Sequence, residues 1–429
     1  MSFSPSPQST SLLSLSPELL LKIFSIYPPV PFPPGRLTLR SLCLVDRTTS
    51  EVARSALYRH LYLPLTFEYN DSNSIHAKLV RTLVEEGRCA EAVRSLRITL
   101  GKPKRSDLLQ FAHVLSRLTN LQRIFTSWED PEVSRASLES IVAEFCGVIT
   151  RNCRQLQALE LPNVTLSESS ISRICESLQD LEVWTLKAPA KAMDSNLAPK
   201  SKLRSLTLLS RYHQDGFDLL TSSSRESLTT ITLSLYSGHF PQDLSNFPNL
   251  RILRLNFENP TLDGDEYSSD NEDEPRAREK WARRVAREIA AILTSVQNSP
   301  IDSMSLSFNS TETSLELSSR PILKSLPHTL RTLSISCSLL GGEQGVNRRL
   351  LFPSTLPTPC PELKLLKILP PGHTRRLSRV DFELMVSTKT LVKGDVDRLG
   401  LNTEIRLATN QGDSFRMKDA LDPGEDEEW

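Results

Sequence analysis

One short pattern of apolar and free positions repeats along the chain. It runs apolar, two residues of any kind, apolar, one of any kind, apolar. It reads VRSLRI from 93, LQALEL from 156, LEVWTL from 181, LRSLTL from 203 and LTTITL from 228. It continues as LRILRL from 250, IDSMSL from 301, LRTLSI from 330 and LKLLKI from 363. LQRIFT from 121 is a degraded copy, with Thr126 at the last apolar place. The last two apolar places are two apart, so on a strand they share one face. Between copies the period lengthens. SESSISRICESL, 167–178, sets Ile171, Ile174, Cys175 and Leu178 at i, i+3, i+4 and i+7, which predicts a helix. A strand and a helix of this size cannot bury their own apolar faces, whereas stacked copies can. The expected fold is therefore α/β: a curved solenoid over 64–370, with a parallel sheet on its concave face and helices and loops outside.

The longest interval between copies, from 250 to 301, holds an insertion. Residues 258–275, ENPTLDGDEYSSDNEDEP, are acidic and poor in apolar residues, which predicts a disordered segment. RAREKWARRVAREIAAILTSV follows. It sets Trp281, Val285, Ile289, Ile292 and Val296 on one face, and Arg276, Arg278, Lys280, Arg283, Arg284 and Arg287 on the other. This reads as the outer helix of an enlarged repeat, or as a basic patch for a partner or for nuclear import. The pattern stops after 370. Within 371–420, VDFELMV suggests a helix and IRLA and FRM suggest strands, together a cap for the last repeat. Residues 421–429 form an acidic tail.

The start of the chain has a different rhythm. Residues 1–13 are rich in Ser and Pro and are expected to be disordered. SLSPELLLKIFSIYPP, 14–29, predicts a helix with Ser16 as cap, Pro17 at its first position and Glu18 in its first turn. Pro28 and Pro29 end it. Leu19, Leu20, Ile23 and Phe24 share one face, while Leu21 and Ile26 lie off it. A short helix apolar on more than one side has a core to enter or a partner to meet. LTLRSLCLVDRTTSEVARSALYRHLYL, 37–63, reads as two further short helices, broken near 46–50. A three-helix unit this small gains from a partner that covers its apolar surface.

These residues resemble an F-box. The matching places are Leu15, Pro17, Glu18, Leu19, Leu20, Ile23 and Phe24, then Leu44, Val45 and Arg47, then Leu57, Tyr58, Arg59 and Leu61. The repeats behind them resemble the leucine-rich repeats that follow F-boxes in many fungal and animal proteins. The resemblance implies a helical F-box over 14–63. It also implies that Leu15, Pro17, Glu18, Leu19, Leu20, Ile23, Phe24, Leu44, Val45 and Arg47 bind the adaptor subunit of an SCF-type cullin ubiquitin ligase. The cullin would join indirectly, and the repeats would hold a protein target. The alternative is a repeat scaffold outside any ligase, whose N-terminal helices only cap the solenoid.

Within each strand, the positions between the apolar places face the concave side. Across five central units they are Ser205 and Thr207, Thr230 and Thr232, Ile252 and Arg254, Ser303 and Ser305, Thr332 and Ser334. Thr suits strands but Ser does not especially, so β propensity alone does not explain so many hydroxyls. They read as a target-binding floor with Arg254 as its one central charge, or as plain solvation of that face.

Composition narrows the function further. Lys plus Arg and Asp plus Glu both number 51, which gives no bulk case for nucleic acid or a membrane surface. No apolar run reaches the length of a membrane span, and MSFSPSPQST lacks the basic and apolar regions of a signal peptide. The 7 cysteines are Cys43, Cys89, Cys146, Cys153, Cys175, Cys337 and Cys360, with no CxxC among them. They read as reduced thiols, as in a cytoplasmic or nuclear protein. GxSxG, GxxxxGK[ST], HExxH and GxGxxG are all missing, and GGEQG at 341–345 has no Lys-Ser/Thr after it. The 7 histidines are scattered without metal spacing. The expectation is a recognition subunit that is not an enzyme and uses no metal or cofactor.

Overall fold

All ten copies of the pattern form strands, and two further segments join them. The structure is a computed structural model. It describes Ser16, 19–20, 41–44, 47–65, 75–100, 105–128, 135–161, 166–186, 200–209, 214–235, 243–258, 287–309, Ile322, 325–336, 361–369, 385–386, Lys389, Lys393 and 403–407. The chain divides into two compact units, Met1–Leu181 and Glu182–Trp429.

The first unit alternates helix and strand. Its elements are α1 (Arg47–Tyr58), β1 (His60–Leu65), α2 (Ile75–Glu85), α3 (Gly87–Ala92), β2 (Ser95–Leu100), α4 (Arg105–Arg117), β3 (Arg123–Trp128), α5 (Arg135–Asn152), β4 (Ala158–Glu160) and α6 (Glu168–Ser177). β1 to β4 pair parallel in sequence order. Parallel neighbours require a crossover, and the intervening helices supply it. Leu61, Leu96, Ile124 and Leu159 stand in register as one buried row, and Leu63, Ile98 and Thr126 as the next. Thr126 is the polar residue at an apolar place. It stays buried because its hydroxyl donates to the Glu160 carbonyl at 2.7 Å. Outside the sheet, Phe111 of α4 stacks on Phe145 of α5 with ring centroids 5.6 Å apart. α6 lies where the sequence predicts a helix. Ser167 caps it, accepting from the Ser170 amide at 3.3 Å, and Ile171, Ile174, Cys175 and Leu178 are buried.

The helical expectation over 37–63 holds only as far as Tyr58. His60–Leu65 is β1, not the end of a helix. Leu61 and Leu63 turn inward while His60 and Tyr62 turn outward, so this stretch has period two. Pairing with β2 gives its backbone parallel hydrogen-bond partners.

The second unit holds β5 (Val183–Leu186), β6 (Ser205–Leu208), α7 (Gln214–Thr221), β7 (Thr230–Leu235), β8 (Ile252–Glu258), β9 (Ser303–Asn309), β10 (Thr332–Ser336), β11 (Leu365–Leu369) and β12 (Glu404–Leu407). These strands also pair parallel in sequence order. Trp184, Leu206, Ile231, Leu253, Met304, Leu333 and Leu366 form one buried row across seven strands. Ile405 and Leu407 of β12 continue the inner rows but are only half-buried. Residues 287–295 are helical and bury Ile289, Ile292 and Leu293, as the amphipathic pattern requires, with Val296 buried just beyond. Phe217 and Phe247 meet edge to face, centroids 5.7 Å apart.

Two polar devices fix the register in this unit. The carbonyl just before a strand accepts from two successive amides of the next repeat. Arg204 O takes the N–H of Thr229 and Thr230 at 3.0 and 3.1 Å, and Thr229 O takes those of Arg251 and Ile252, each at 2.9 Å. In addition, hydroxyls tie one repeat to the one before. Ser227 donates to Leu203 O at 2.8 Å, Thr329 to Ile301 O at 2.7 Å and Thr403 to Leu363 O at 2.7 Å. Backbone carbonyls at the start of each strand are thereby paired.

Several expectations fall on residues outside the described ones. These are 1–13, the insertion apart from Glu258, the helix before 287, Cys337, Cys360 and the tail 421–429. Within 371–420, Met385 and Val386 are helical and Glu404–Leu407 is a strand of the sheet.

Candidate interaction surfaces

The first surface belongs to the N-terminal helical segments. Ser16 caps the first one: the Leu19 amide donates to Ser16 Oγ at 3.4 Å and the Leu20 amide to Ser16 O at 3.0 Å. This turn sends Leu20 inward, where it forms a small core with Ala53 of α1. Leu42, Cys43, Val52, Ala56 and Leu57 pack around that pair. Leu19 and Leu44 point the other way, and Leu44 keeps 88% of its surface. Arg47 is exposed at the start of α1 and lies 3.9 Å from Glu51. Of the ten residues expected at an adaptor surface, four are therefore described. Leu19, Leu44 and Arg47 are outside, and Leu20 is a core residue. It is withdrawn from solvent because the small helical unit needs it to cover Ala53. Leu15, Pro17, Glu18, Ile23, Phe24 and Val45 lie outside the described residues. α1 is tied to α2 and α3 by Arg54–Glu86 at 3.7 Å and Arg88–Glu51 at 3.5 Å. Both pairs are exposed, so each adds little stability.

The second surface is the face of the sheet opposite the packed rows in the second unit, on which Arg254 is exposed, Ser303, Ser305 and Thr332 are half-buried and Thr232 is buried. Ser205, Thr230, Ile252, Ser303 and Thr332 stand in register as one row. Thr207, Thr232, Arg254, Ser305 and Ser334 form the next. The structure brings together all the residues that the strand pattern assigns to this face. It lengthens the second row to Lys367 and Arg406 on β11 and β12. Arg406 grips Glu404 through two contacts, at 2.6 and 2.9 Å, which hold the Glu404 carboxyl below the usual carboxylate range. Arg254 is exposed and makes no ion pair among the described residues.

A third row went unread in the sequence. Ser234, Asn256 and Ser307 stand side by side on β7, β8 and β9. Ser307 Oγ donates to Asn256 Oδ1 at 2.6 Å. Ser234 is buried, and its hydroxyl has no hydrogen-bond partner among the described residues. The hexapeptide pattern stops at the last apolar place, whereas these strands run on past it. Extending the alternation by one residue would have found the row.

The first unit has its own exposed face, where Tyr62, Arg97, Phe125 and Glu160 are in register. Tyr62 Oη lies 2.9 Å from Thr99 Oγ1, which lies 3.1 Å from Ser127 Oγ. Burial first, then the Arg59 and Arg123 charges, lower the His60 pKa. Arg97 and Phe125 follow from the same pattern in VRSLRI and LQRIFT. Tyr62 was hidden by the helical interpretation of HLYL.

Between α5 and α6 lies a cleft of about 830 Å3, lined in part by Arg151, Arg154, Arg173, Glu176 and Asp180. Arg173 crosses close to Gly147, where a Cβ would stand 3.3 Å from Nη1. Both signs of charge line this cleft, and it brings no nucleophile to a base. No group of three or more His, Cys, Asp or Glu that could hold a metal occurs among the described residues. Cys89, Cys146, Cys153 and Cys175 are buried free thiols, and Cys43 is a half-buried one. Burial pushes the Cys146, Cys153 and Cys175 thiols up to about 12. No described helix is long and apolar enough to cross a membrane.

The chain matches no protein-family model and no curated protein.

Proposed function

We propose that this chain is a substrate-receptor subunit of an SCF-type cullin ubiquitin ligase. It binds the adaptor through its F-box-like N-terminal helices and a protein target through that sheet face of its leucine-rich repeats. The observation that carries the proposal is the split of one apolar turn. Leu20 is 1% exposed and Leu19 is 48% exposed, with Leu44 also bare. A helical unit that served only as a cap would turn its large apolar side chains inward. Exposed leucines beside a satisfied core fit a helical partner that takes them as anchors. The subunit itself contributes proximity: it raises the local concentration of target lysines near an enzyme recruited elsewhere in the complex. Free thiols suit work in the cytoplasm or nucleus.

A repeat scaffold is the second reading. The Arg54–Glu86 and Arg88–Glu51 pairs agree with it: weak as each is, they place α1 against the residues that follow it, as a cap would sit. Co-purification separates the two. The chain is expressed with the adaptor and cullin of its host and drawn down by a tag. The ligase reading expects both to be recovered; a folded chain that recovers neither is a scaffold.

A further inference from the structure

Six side chains on β7, β8 and β9 form a compact polar block. Thr232, Arg254 and Ser305 make one row, and Ser234, Asn256 and Ser307 the next. Neighbouring strands lie about 4.8 Å apart, and residues two apart on a strand about 7 Å, so the block is about 10 by 7 Å. That is the size of one acidic side chain and the peptide group that bears it.

The chemistry of the block is one-sided. Arg254 is exposed and has no ion-pair partner among the described residues. Asn256 has its oxygen held by Ser307, so its amide has Nδ2 hydrogens to donate. Beside it in register, Ser234 is 3% exposed, and its hydroxyl meets no hydrogen-bond partner among the described residues. A buried hydroxyl left unpaired costs stability, so each one calls for an explanation, and a bound group is one such explanation. Ser234 therefore stands as a donor for which the described residues supply no acceptor.

We propose that this block binds one carboxylate on an extended acidic segment of the target protein. The Arg254 guanidinium takes the carboxylate, Asn256 Nδ2 and Ser234 complete its coordination, and the hydroxyls of Thr232 and Ser305 flank the peptide. Charge selects the ligand. One cation balances one negative charge, whereas a phosphate carries nearly two and calls for clustered arginines. The inference rests on the reading that this sheet face holds a target.

The test is selection of a random dodecapeptide library, displayed on phage, against the full chain, with counter-selection on the Arg254→Gln chain. The recovered peptides are expected to carry Asp or Glu at a fixed place. The best of them, made synthetically, should bind at least tenfold more weakly to Arg254→Gln. Changing its acid to the amide should cause the same loss. Ser234→Ala should weaken binding severalfold while the melting temperature stays level or rises, because an unpaired buried hydroxyl has been removed. A structural hydroxyl would lower the melting temperature instead. Peptides without acids, no enrichment at all, indifference to Arg254→Gln, or tighter binding of a phosphoserine version would each overturn the proposal. Arg254→Gln leaves the adaptor surface untouched. Failure of adaptor binding therefore sinks the ligase reading alone, and failure of acid preference sinks this one alone.

Discussion

Leu19 and Leu20 are neighbours in the chain and face opposite ways: Leu19 keeps 48% of its surface and Leu20 keeps 1%. Ser16 sets this by capping the turn between them and the preceding segment. Adjacent residues on a helix are about 100° apart, enough to put one in a core and the other in a partner's reach.

The two leucines should therefore fail differently. Leu20→Ala removes packing from Ala53 and should cost about 2–5 kcal/mol of local stability. Hydrogen exchange of the α1 amides should then speed up at least about 30-fold. Leu19→Ala should change exchange by no more than about threefold. Equal effects would place both residues in the same core.

Thr126 offers a second contrast. The repeat pattern alone says that Val at this place should stabilise the row of Leu63 and Ile98. The structure says otherwise, because the Thr126 hydroxyl satisfies the Glu160 carbonyl at 2.7 Å. Thr126→Val should cost about 1 kcal/mol and lower the melting temperature, while Thr126→Ser keeps the bond. A higher melting temperature for the Val variant would show that the bond contributes nothing.

The strands were the most legible part of this chain, and the reason is physical. Each strand must turn its second and third apolar places into the core, so Leu206 and Leu208, or Leu253 and Leu255, could be placed from spacing alone. Register followed from stacking, which is why Thr232, Arg254 and Ser305 could be put side by side. HLYLPL was misread because it follows a true helix and its apolar residues also fit a continued helical face. Only pairing with β2 decides between them. The opening helix showed its two apolar sides in sequence, yet which leucine went inward depended on α1, whose Ala53 receives Leu20. Ser234 was invisible for another reason. A missing partner is a property of space, not of spacing.

Thiol reactivity should follow burial. Partial burial raises the Cys43 thiol, with Arg54 offsetting part of the rise, whereas fuller burial pushes Cys146, Cys153 and Cys175 up to about 12. At pH 8 these three are almost wholly protonated and shielded. Iodoacetamide should label Cys43 at least tenfold faster than any of them, as read by peptide mass mapping of the native chain. Labelling of Cys146 at the Cys43 rate would mean that α5 opens readily.

His60 makes the first unit sensitive to acid. Burial, then Arg59 and Arg123, hold its pKa below the usual 6.5. The unfolded chain therefore binds a proton near 6.5 that the folded chain still refuses. Stability falls as pH drops through about 6.5 towards the lower folded value, and the group has no effect above that window. Between pH 7.5 and 5.5 the melting temperature of the wild type should fall further than that of His60→Asn. Parallel falls would show that His60 protonates as freely in the fold as outside it.

The most direct measurement is the affinity of the purified full chain for the host's adaptor, by isothermal titration, beside a Leu19→Asp, Leu44→Asp variant. Hydrogen exchange of α1 serves as the check that both are folded. If the exposed leucines are adaptor anchors, the wild type binds and the variant loses at least about a hundredfold, since two buried anchors are each worth about 2 kcal/mol or more. A folded wild type that does not bind, or a variant that binds equally well, would contradict the adaptor role of these helices.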